Sequence, residues 1–132
     1  MPGILIDKGA IVVDESQLKY PGDLLHEAGH LAVVPAARRN EIYRDAGNAP
    51  AEEMAAIAWS YAAALHIGLD PAVVFHEAGY KGGSQSMLEN FAAGRYIGVP
   101  MLHWLGMAED QRTAAANGRQ PYPAMLRWVS DR

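Results

Sequence analysis

Two short apolar runs near the start of the chain predict a β-hairpin. Residues 4–6 and 11–13 are rich in isoleucine and valine, and the four residues between them include Gly9. β-Branched residues favour strands, and a short glycine-containing link between two such runs is typical of a hairpin. The second strand would then offer a free edge to which an extended peptide can add.

Apolar residues then recur at helical spacing in two longer segments. In the first, Asp23 stands where a helix N-cap is expected, and Pro35 ends the apolar pattern. In the second, Pro50 fits the first turn of a helix, and Gly68 ends that helix after Ile67. An apolar stripe is predicted along this second helix, made of Met54, Ile57, Ala58, Tyr61 and Leu65.

The remaining sequence predicts several shorter helices. Asp70 should cap one that ends at Gly79, and Ser86 should cap another. Residues 100–105 and 109–116 predict two more, followed by a proline-containing tail that packs on the body. The pattern therefore predicts an α+β fold, in which a short N-terminal β-hairpin or small sheet packs on a mostly helical body of four to six helices.

Length and composition fit one folded domain that spans residues 1–132. A chain of 132 residues is long enough for one core and too short for two. The longest nearly uncharged stretch, residues 54–69, falls short of the roughly 20 apolar residues that a membrane span needs, so we expect no membrane span. The net charge of −4 argues against non-specific nucleic-acid binding, which requires a basic surface.

The chain contains no cysteine, and this limits how it can be stabilised and how it can bind metal. Without cysteine there are no disulfides, and any metal must be held by histidine and carboxylate side chains. No secretory signal is visible at the amino terminus. Together these features favour a cytoplasmic protein.

The five residues from His26 to His30 carry the clearest chemical signal. Their sequence, His-Glu-Ala-Gly-His, fits the H-E-x-x-H pattern of zinc hydrolases. Residues four apart lie on one face of a helix, so both imidazoles can point at a single metal ion. Glu27 is the next residue after His26 on the helix, where its carboxylate can reach a water molecule at the ion and take a proton from it. Two surface histidines on an amphipathic helix would give the same spacing without any metal.

A catalytic zinc site needs a third protein ligand. The longer pattern with a further histidine is absent, because Ala36 occupies that position. Glu52 and Glu53 lie 22 and 23 residues after the motif, and Glu53 is the stronger candidate because it stands nearer the predicted apolar stripe. Both glutamates also suit the first turn of a helix for electrostatic reasons alone. His76 or Glu77 is the remaining alternative, from a segment that repeats His-Glu-Ala-Gly.

A hydrolase of this type also needs a donor for the oxyanion that forms when water adds to a carbonyl. His76 is a candidate for this role, and Tyr80 is another through its hydroxyl group. Tyr61 is a further alternative. His66 and His103 have no motif around them, so we interpret the first as a helix-end cation and the second as a packing residue.

The motif, with apolar residues at 24–25 and 31–32 on either side, resembles that of the zincin metallopeptidases. The His-Glu-x-Gly-His form is similar to the motifs of membrane-anchored AAA proteases, site-2 proteases and small soluble peptidase domains fused to bacterial regulators. Site-2 proteases place the motif in a membrane span and AAA proteases carry an ATPase domain, and neither feature is expected here. The chain is therefore most similar to a minimal soluble gluzincin.

This resemblance implies a zincin-like fold and assigns roles to the motif residues. His26 and His30 would be zinc ligands, and Glu27 would be the catalytic base. In the gluzincin branch a glutamate on a following helix is the third ligand, a role that Glu53 or Glu52 would fill.

Three hypotheses remain open at this point. The leading one is a zinc-dependent hydrolase, most simply a metallopeptidase that acts on a peptide or protein substrate. The alternative is a non-catalytic, metal-stabilised interaction module, in which a fourth ligand closes the site. The third is a helical domain without metal, in which the motif is accidental. The sequence does not determine the oligomeric state.

Overall fold

The computed structural model of the protein describes residues 2–41, 43–44, 50–79 and 83–131, and only the backbone of residues 43–44. The predicted α+β class is confirmed, because a small antiparallel sheet accompanies a mostly helical body. The described strands are β1 (Ile4–Asp7), β2 (Ala10–Val13) and β3 (Tyr43–Arg44). The described helices are α1 (Asp23–Val33), α2 (Ala36–Arg39), α3 (Pro50–Ile67), α4 (Pro71–Val74), α5 (Ser84–Ala92), α6 (Val99–Trp104) and α7 (Gln111–Asn117).

The predicted hairpin is present as β1 and β2. Asp7 pairs with Ala10, and the two residues between them, Lys8 and Gly9, have φ values of 48° and 81°. Two consecutive positive φ values give the type I′ turn, whose twist matches that of the flanking strands. The sheet order is β2-β1-β3, so β2 is an edge strand.

Helix α3 is the buried centre of the body, and both of its predicted ends, Pro50 and Ile67, are confirmed. The predicted one-sided stripe is wrong. Residues 55–64 are buried all the way round, whereas Met54 and Leu65 are exposed. The alanine-rich middle of α3 explains this, since small side chains allow α1, α4 and α6 to pack against different sides of it. Across the described ranges, no helix combines the length and apolar character that a membrane span requires.

Helix α1 begins differently from the prediction. Gly22 is the N-cap residue, and Asp23 is the first residue of the helix rather than its cap. The carboxylate of Asp23 is bonded instead to His76, 53 residues further along the chain. Because that partner is distant in sequence, local capping rules could not reveal it. The predicted end is confirmed, since Val34 is extended in front of Pro35.

The shorter helices agree with the predictions in part. Asp70 caps α4 as predicted, accepting a hydrogen bond from the amide of Ala72, but α4 ends at Val74 and residues 77–79 form a separate 3₁₀ turn. Ser86 does not cap α5, which starts two residues earlier. The body has seven described α-helices rather than four to six, because α2, a single-turn helix of four residues, is additional to those predicted.

The carboxyl-terminal tail packs on the helices, as predicted. The hydroxyl of Tyr122 donates a hydrogen bond to the carbonyl oxygen of Ala58 at 2.5 Å. The indole N–H of Trp59 donates to the carbonyl oxygen of Trp128 at 2.8 Å. These contacts attach the tail to α3 and cover part of the core.

Candidate metal centre

Helices α1 and α3 approach closely because Gly29 has no side chain. A Cβ atom at this position would lie 2.8 Å from the carbonyl oxygen of Ala56 and 3.1 Å from Cε3 of Trp59. Any larger residue would therefore push the two helices apart. Ala56 lies one turn after Glu53, on the same side of α3. The contact at Gly29 thus also brings Glu53 towards the histidine face of α1.

Three side chains meet at this contact. Nε2 of His26 lies 3.2 Å from Nε2 of His30 and 3.2 Å from Oε1 of Glu53. Nε2 of His30 lies 2.6 Å from Oε2 of Glu53. Both histidines are buried, and their rings are arranged edge to face. Two surface histidines on an amphipathic helix, the alternative explanation of the motif, are therefore excluded.

The spacing of these atoms can be compared with that of a metal site. Bonds of about 2.0–2.2 Å in a tetrahedral site place neighbouring ligand atoms roughly 3.3–3.6 Å apart. The two separations of 3.2 Å to Nε2 of His26 are close to this range. The contact between His30 and Glu53, at 2.6 Å, is a hydrogen-bond distance. It would have to lengthen by about 0.7–1 Å for both atoms to bind the same ion. His26, His30 and Glu53 can thus hold a metal ion with only a small adjustment.

The same contacts shift the ionisation of the three groups. Hydrogen bonds from His26 and then His30 lower the pKa of Glu53 well below its ordinary value. Burial by itself lowers the pKa of His30, but the hydrogen bond and negative charge of Glu53 outweigh burial, so the pKa is raised. Without a metal, Glu53 therefore favours the protonated form of His30. A metal ion binds the neutral imidazole and so competes with this proton.

Glu27 lies beside the three ligands without forming a hydrogen bond or ion pair to any described residue. Its side chain is partly buried, and burial raises the pKa of its carboxyl group, although the positive charges of His30 and His26 oppose that effect. A raised pKa makes a carboxylate better suited to accept and return a proton than an ordinary one. The structure thus places a partly buried carboxylate next to the metal-binding group, as the motif predicts for a base.

Of the four candidates for the third ligand, Glu53 is the one that the fold brings to the histidines. Glu52 is buried and pairs with Arg38 at 3.2 Å, and Glu77 is exposed on the 3₁₀ turn. The predicted stripe does not explain the position of Glu53, because Met54 beside it is exposed. The contact at Gly29 is the actual reason.

His76 is held by Asp23 rather than by the metal-binding group. Its Nε2 atom lies 2.6 Å from Oδ1 of Asp23, and its ring stacks on Tyr20 with centroids 4.1 Å apart. Gly79 also lies against the ring, since a Cβ at this position would be 3.1 Å from Cε1 of His76. The Nδ1 atom is buried and has no hydrogen-bond partner among the described residues. Neither ring nitrogen is therefore open to a substrate in this structure, since Nε2 is bonded to Asp23 and Nδ1 is buried.

Asp23 places His76 near the site without joining it to the ligands. Asp23 stands three residues before His26, on the same face of α1. No described contact links His76 to His26, His30 or Glu53. Its role in the site remains a prediction.

The other predicted residues lie elsewhere or outside the described ranges. Tyr80 is outside the residues that the structure describes. Tyr61 lies in the core, packed against Phe75 and Phe91, and burial raises the pKa of its hydroxyl group. His66 is in the last turn of α3, as predicted for a helix-end cation, with its ring against that of Trp128.

Sequence reasoning missed two residues that shape the centre, Gly29 and Asp23. Glycine inside a helix costs about 1 kcal/mol relative to alanine, so an interior glycine is itself a sign of close packing. Asp23, His26 and His30 are spaced three and four residues apart, which places three polar groups on one helix face. That spacing could have suggested that Asp23 faces the site instead of capping the helix.

Comparisons of the chain with known protein families, with curated proteins and with solved structures found no match. The functional interpretation therefore depends on the chemistry and geometry of the site itself.

Proposed function

We propose that the protein is a small zinc-dependent hydrolase, most simply a metallopeptidase with a site of the zincin type. The supporting observation is the convergence of His26, His30 and Glu53, with the carboxylate of Glu27 beside them. Two imidazoles and one carboxylate suit zinc, and this is the ligand set of several zinc peptidases.

The number of ligands favours catalysis over a purely structural metal. Structural zinc sites are closed by four protein ligands, whereas catalytic sites have three and leave one position for water and substrate. In the described part of the chain, no fourth histidine, aspartate or glutamate belongs to the group. Glu53 is also 40% exposed, so the group is accessible from its side of the site. These features argue against the non-catalytic interaction module.

In the proposed reaction, Glu27 moves the protons. A zinc ion in the site would supply the positive charge that acidifies water and polarises the carbonyl group of the substrate. Glu27 accepts a proton from the attacking water as the new C–O bond forms. It then returns the proton to the amide nitrogen as the C–N bond breaks.

The carbonyl oxygen gains negative charge in this step and needs a hydrogen-bond donor. His76 and Tyr80 are the proposed donors. His76 would act through Nδ1, because its Nε2 atom is already bonded to Asp23, and the buried Nδ1 would have to become accessible when the substrate binds.

The substitution Glu27→Gln tests this proposal. Glutamine has nearly the same size but cannot accept the proton, so we expect zinc binding to persist while hydrolysis falls roughly 10²–10⁴-fold. The measurement is cleavage of a broad peptide library, followed by mass spectrometry, with zinc content determined on the same samples. Glu89→Gln is a matched control, because Glu89 is an exposed glutamate on α5.

Two outcomes would count against the mechanism. Equal cleavage by the wild type and by the Glu27→Gln variant would exclude Glu27 as the base. Zinc-loaded wild type that cleaves nothing in the library would favour the non-catalytic module instead.

A further inference from the structure

The outer edge of β2 carries backbone groups that nothing in the described structure satisfies. Asp7 and Ala10 close the two-residue turn, and the amide of Asp14 donates to the carbonyl oxygen of Gly3 at 2.8 Å. The even-numbered residues of β2 therefore bond to β1. The N–H and C=O groups of residues 11 and 13 point away from the sheet, and no hydrogen bond to them is found among the described residues.

The edge is apolar, and its short length is the only usual protection against strand addition that the strand itself carries. Its sequence is Ala-Ile-Val-Val, without charge, proline or bulge inside the strand. Natural edge strands generally carry one of these features, because an open edge is a template for pairing with another chain. On the outer face Val12 lies opposite Leu5, and the two residues are 48% and 42% exposed.

An apolar groove runs along the inner side of the same edge. It is a cavity of about 410 Å³, and its lining includes Ile11 of the hairpin, Ala28 and Leu31 of α1, Trp59 of α3 and one charged residue, Arg39 of α2. The side chain of Ile11 faces this groove. In an added strand, the side chains that pair with Ile11 would face the same way and cover the groove.

We propose that the occupant of this edge is a second copy of the chain, so that β2 pairs with β2 of the partner around a two-fold axis. Within β2 only residues 11 and 13 point outward, so the antiparallel register that uses both of them in each copy places Ile11 opposite Val13. The axis then passes between the two Val12 residues, and Ala10 lies opposite Asp14. The result is a continuous six-stranded sheet, and each copy contributes Ile11 and Val13 to the inner face that covers the grooves.

The charges around the strand fit this arrangement. Lys8 lies in the turn before β2, and Asp14 and Glu15 follow the strand. In the antiparallel pair, the turn of one copy lies beside the end of the other strand. Lys8 of each copy thus comes next to the acidic pair of its partner, which favours this register over a parallel one.

The dimer would leave the metal centre open. Ala28 in the groove lies on the opposite face of α1 from His26 and His30. A contact of four to five residues per strand is small for a protein interface, so we expect a weak dimer that forms with rising concentration. This inference depends on the hairpin alone and is independent of the proposed hydrolase activity.

Cross-linking through a single introduced cysteine tests the pairing and its register. The chain has no cysteine, so V12C introduces the only thiol. Directly opposed residues of a non-hydrogen-bonded antiparallel pair have Cα atoms about 4.5 Å apart, which is within the range for a disulfide. The control is L5C, on the same face and similarly exposed but one strand away from the axis. Circular dichroism would check that both variants are folded.

The expected result is a disulfide-linked dimer of V12C that forms at least about ten times faster than that of L5C under the same mild oxidation. Sedimentation equilibrium of the wild type should show a dimer at high concentration, and V12K should weaken it more than L5K does, because two lysines would face each other at the axis. Equal cross-linking of V12C and L5C, with a wild type that stays monomeric at the highest concentration reached, would overturn the proposal.

Discussion

At the residue scale, Glu53 differs from the two buried histidines in its exposure and in its negative charge. Its side chain is 40% exposed, whereas those of His26 and His30 are 8% and 4% exposed. The carboxylate is therefore the ligand on the open side of the group. Its charge also favours the protonated form of His30 when no metal is present. Losing Glu53 should change both the metal affinity and the ionisation of the site.

The substitution Glu53→Gln should lower the affinity for zinc by at least about 100-fold, because a neutral amide is a much weaker ligand than a carboxylate. A competitive titration against a chromophoric chelator would measure the change. Glu52→Gln is the matched control, since it removes the neighbouring carboxylate, which pairs with Arg38 instead. A larger loss of zinc affinity in Glu52→Gln than in Glu53→Gln would show that Glu53 is not the third ligand.

The motif residues could be predicted from sequence because their chemistry is local. His26, Glu27 and His30 lie within one and a half turns of one helix, so the spacing alone defines their common face. Glu53 and His76 could not be assigned in the same way. Their positions depend on which helices pack together, and that depends on contacts such as Gly29 against Ala56.

At the scale of elements, the contact between α1 and α3 builds the centre. The substitution Gly29→Ala would add a Cβ atom 2.8 Å from the carbonyl oxygen of Ala56, which is backbone and cannot move aside. Alanine favours a helix by about 1 kcal/mol over glycine, so propensity alone predicts a gain in stability. We expect the overlap to outweigh that gain and to give a net destabilisation of about 1–3 kcal/mol.

Urea denaturation of metal-free protein would measure the stability of Gly29→Ala. A zinc titration of the same variant should show weaker binding, because separating the helices moves Glu53 away from the histidines. A variant that is more stable than the wild type and binds zinc equally well would show that the contact does not position the ligand.

The elements themselves were predictable where strong local signals mark both ends. Pro50 and Gly68 delimit α3, and the I′ turn at Lys8 and Gly9 defines the hairpin. The prediction was wrong where a distant partner competes for a side chain, as His76 does for Asp23. It was also wrong for the faces of α3, because a helix buried on every side has no single stripe to detect.

At the scale of the whole molecule, the metal-binding residues and a sizeable cavity do not share any lining residue. A cavity of about 650 Å³ near the carboxyl terminus is lined by residues that include His103, Glu109 and Arg119, and none of the metal-binding residues borders it. Cavity size alone would therefore have pointed away from the chemistry. The convergence of three ligand atoms beside Glu27 is the more specific indication of function.

The most direct test of the central claim is the zinc content of the whole protein. Wild type dialysed against micromolar zinc and then against metal-free buffer should retain about one zinc ion per chain by elemental analysis, as expected for a single three-ligand site. His30→Ala, which removes one of the ligands, should retain almost none under the same conditions. Wild type that retains no zinc, or a His30→Ala variant that retains as much as the wild type, would contradict the metal centre and with it the proposed hydrolase.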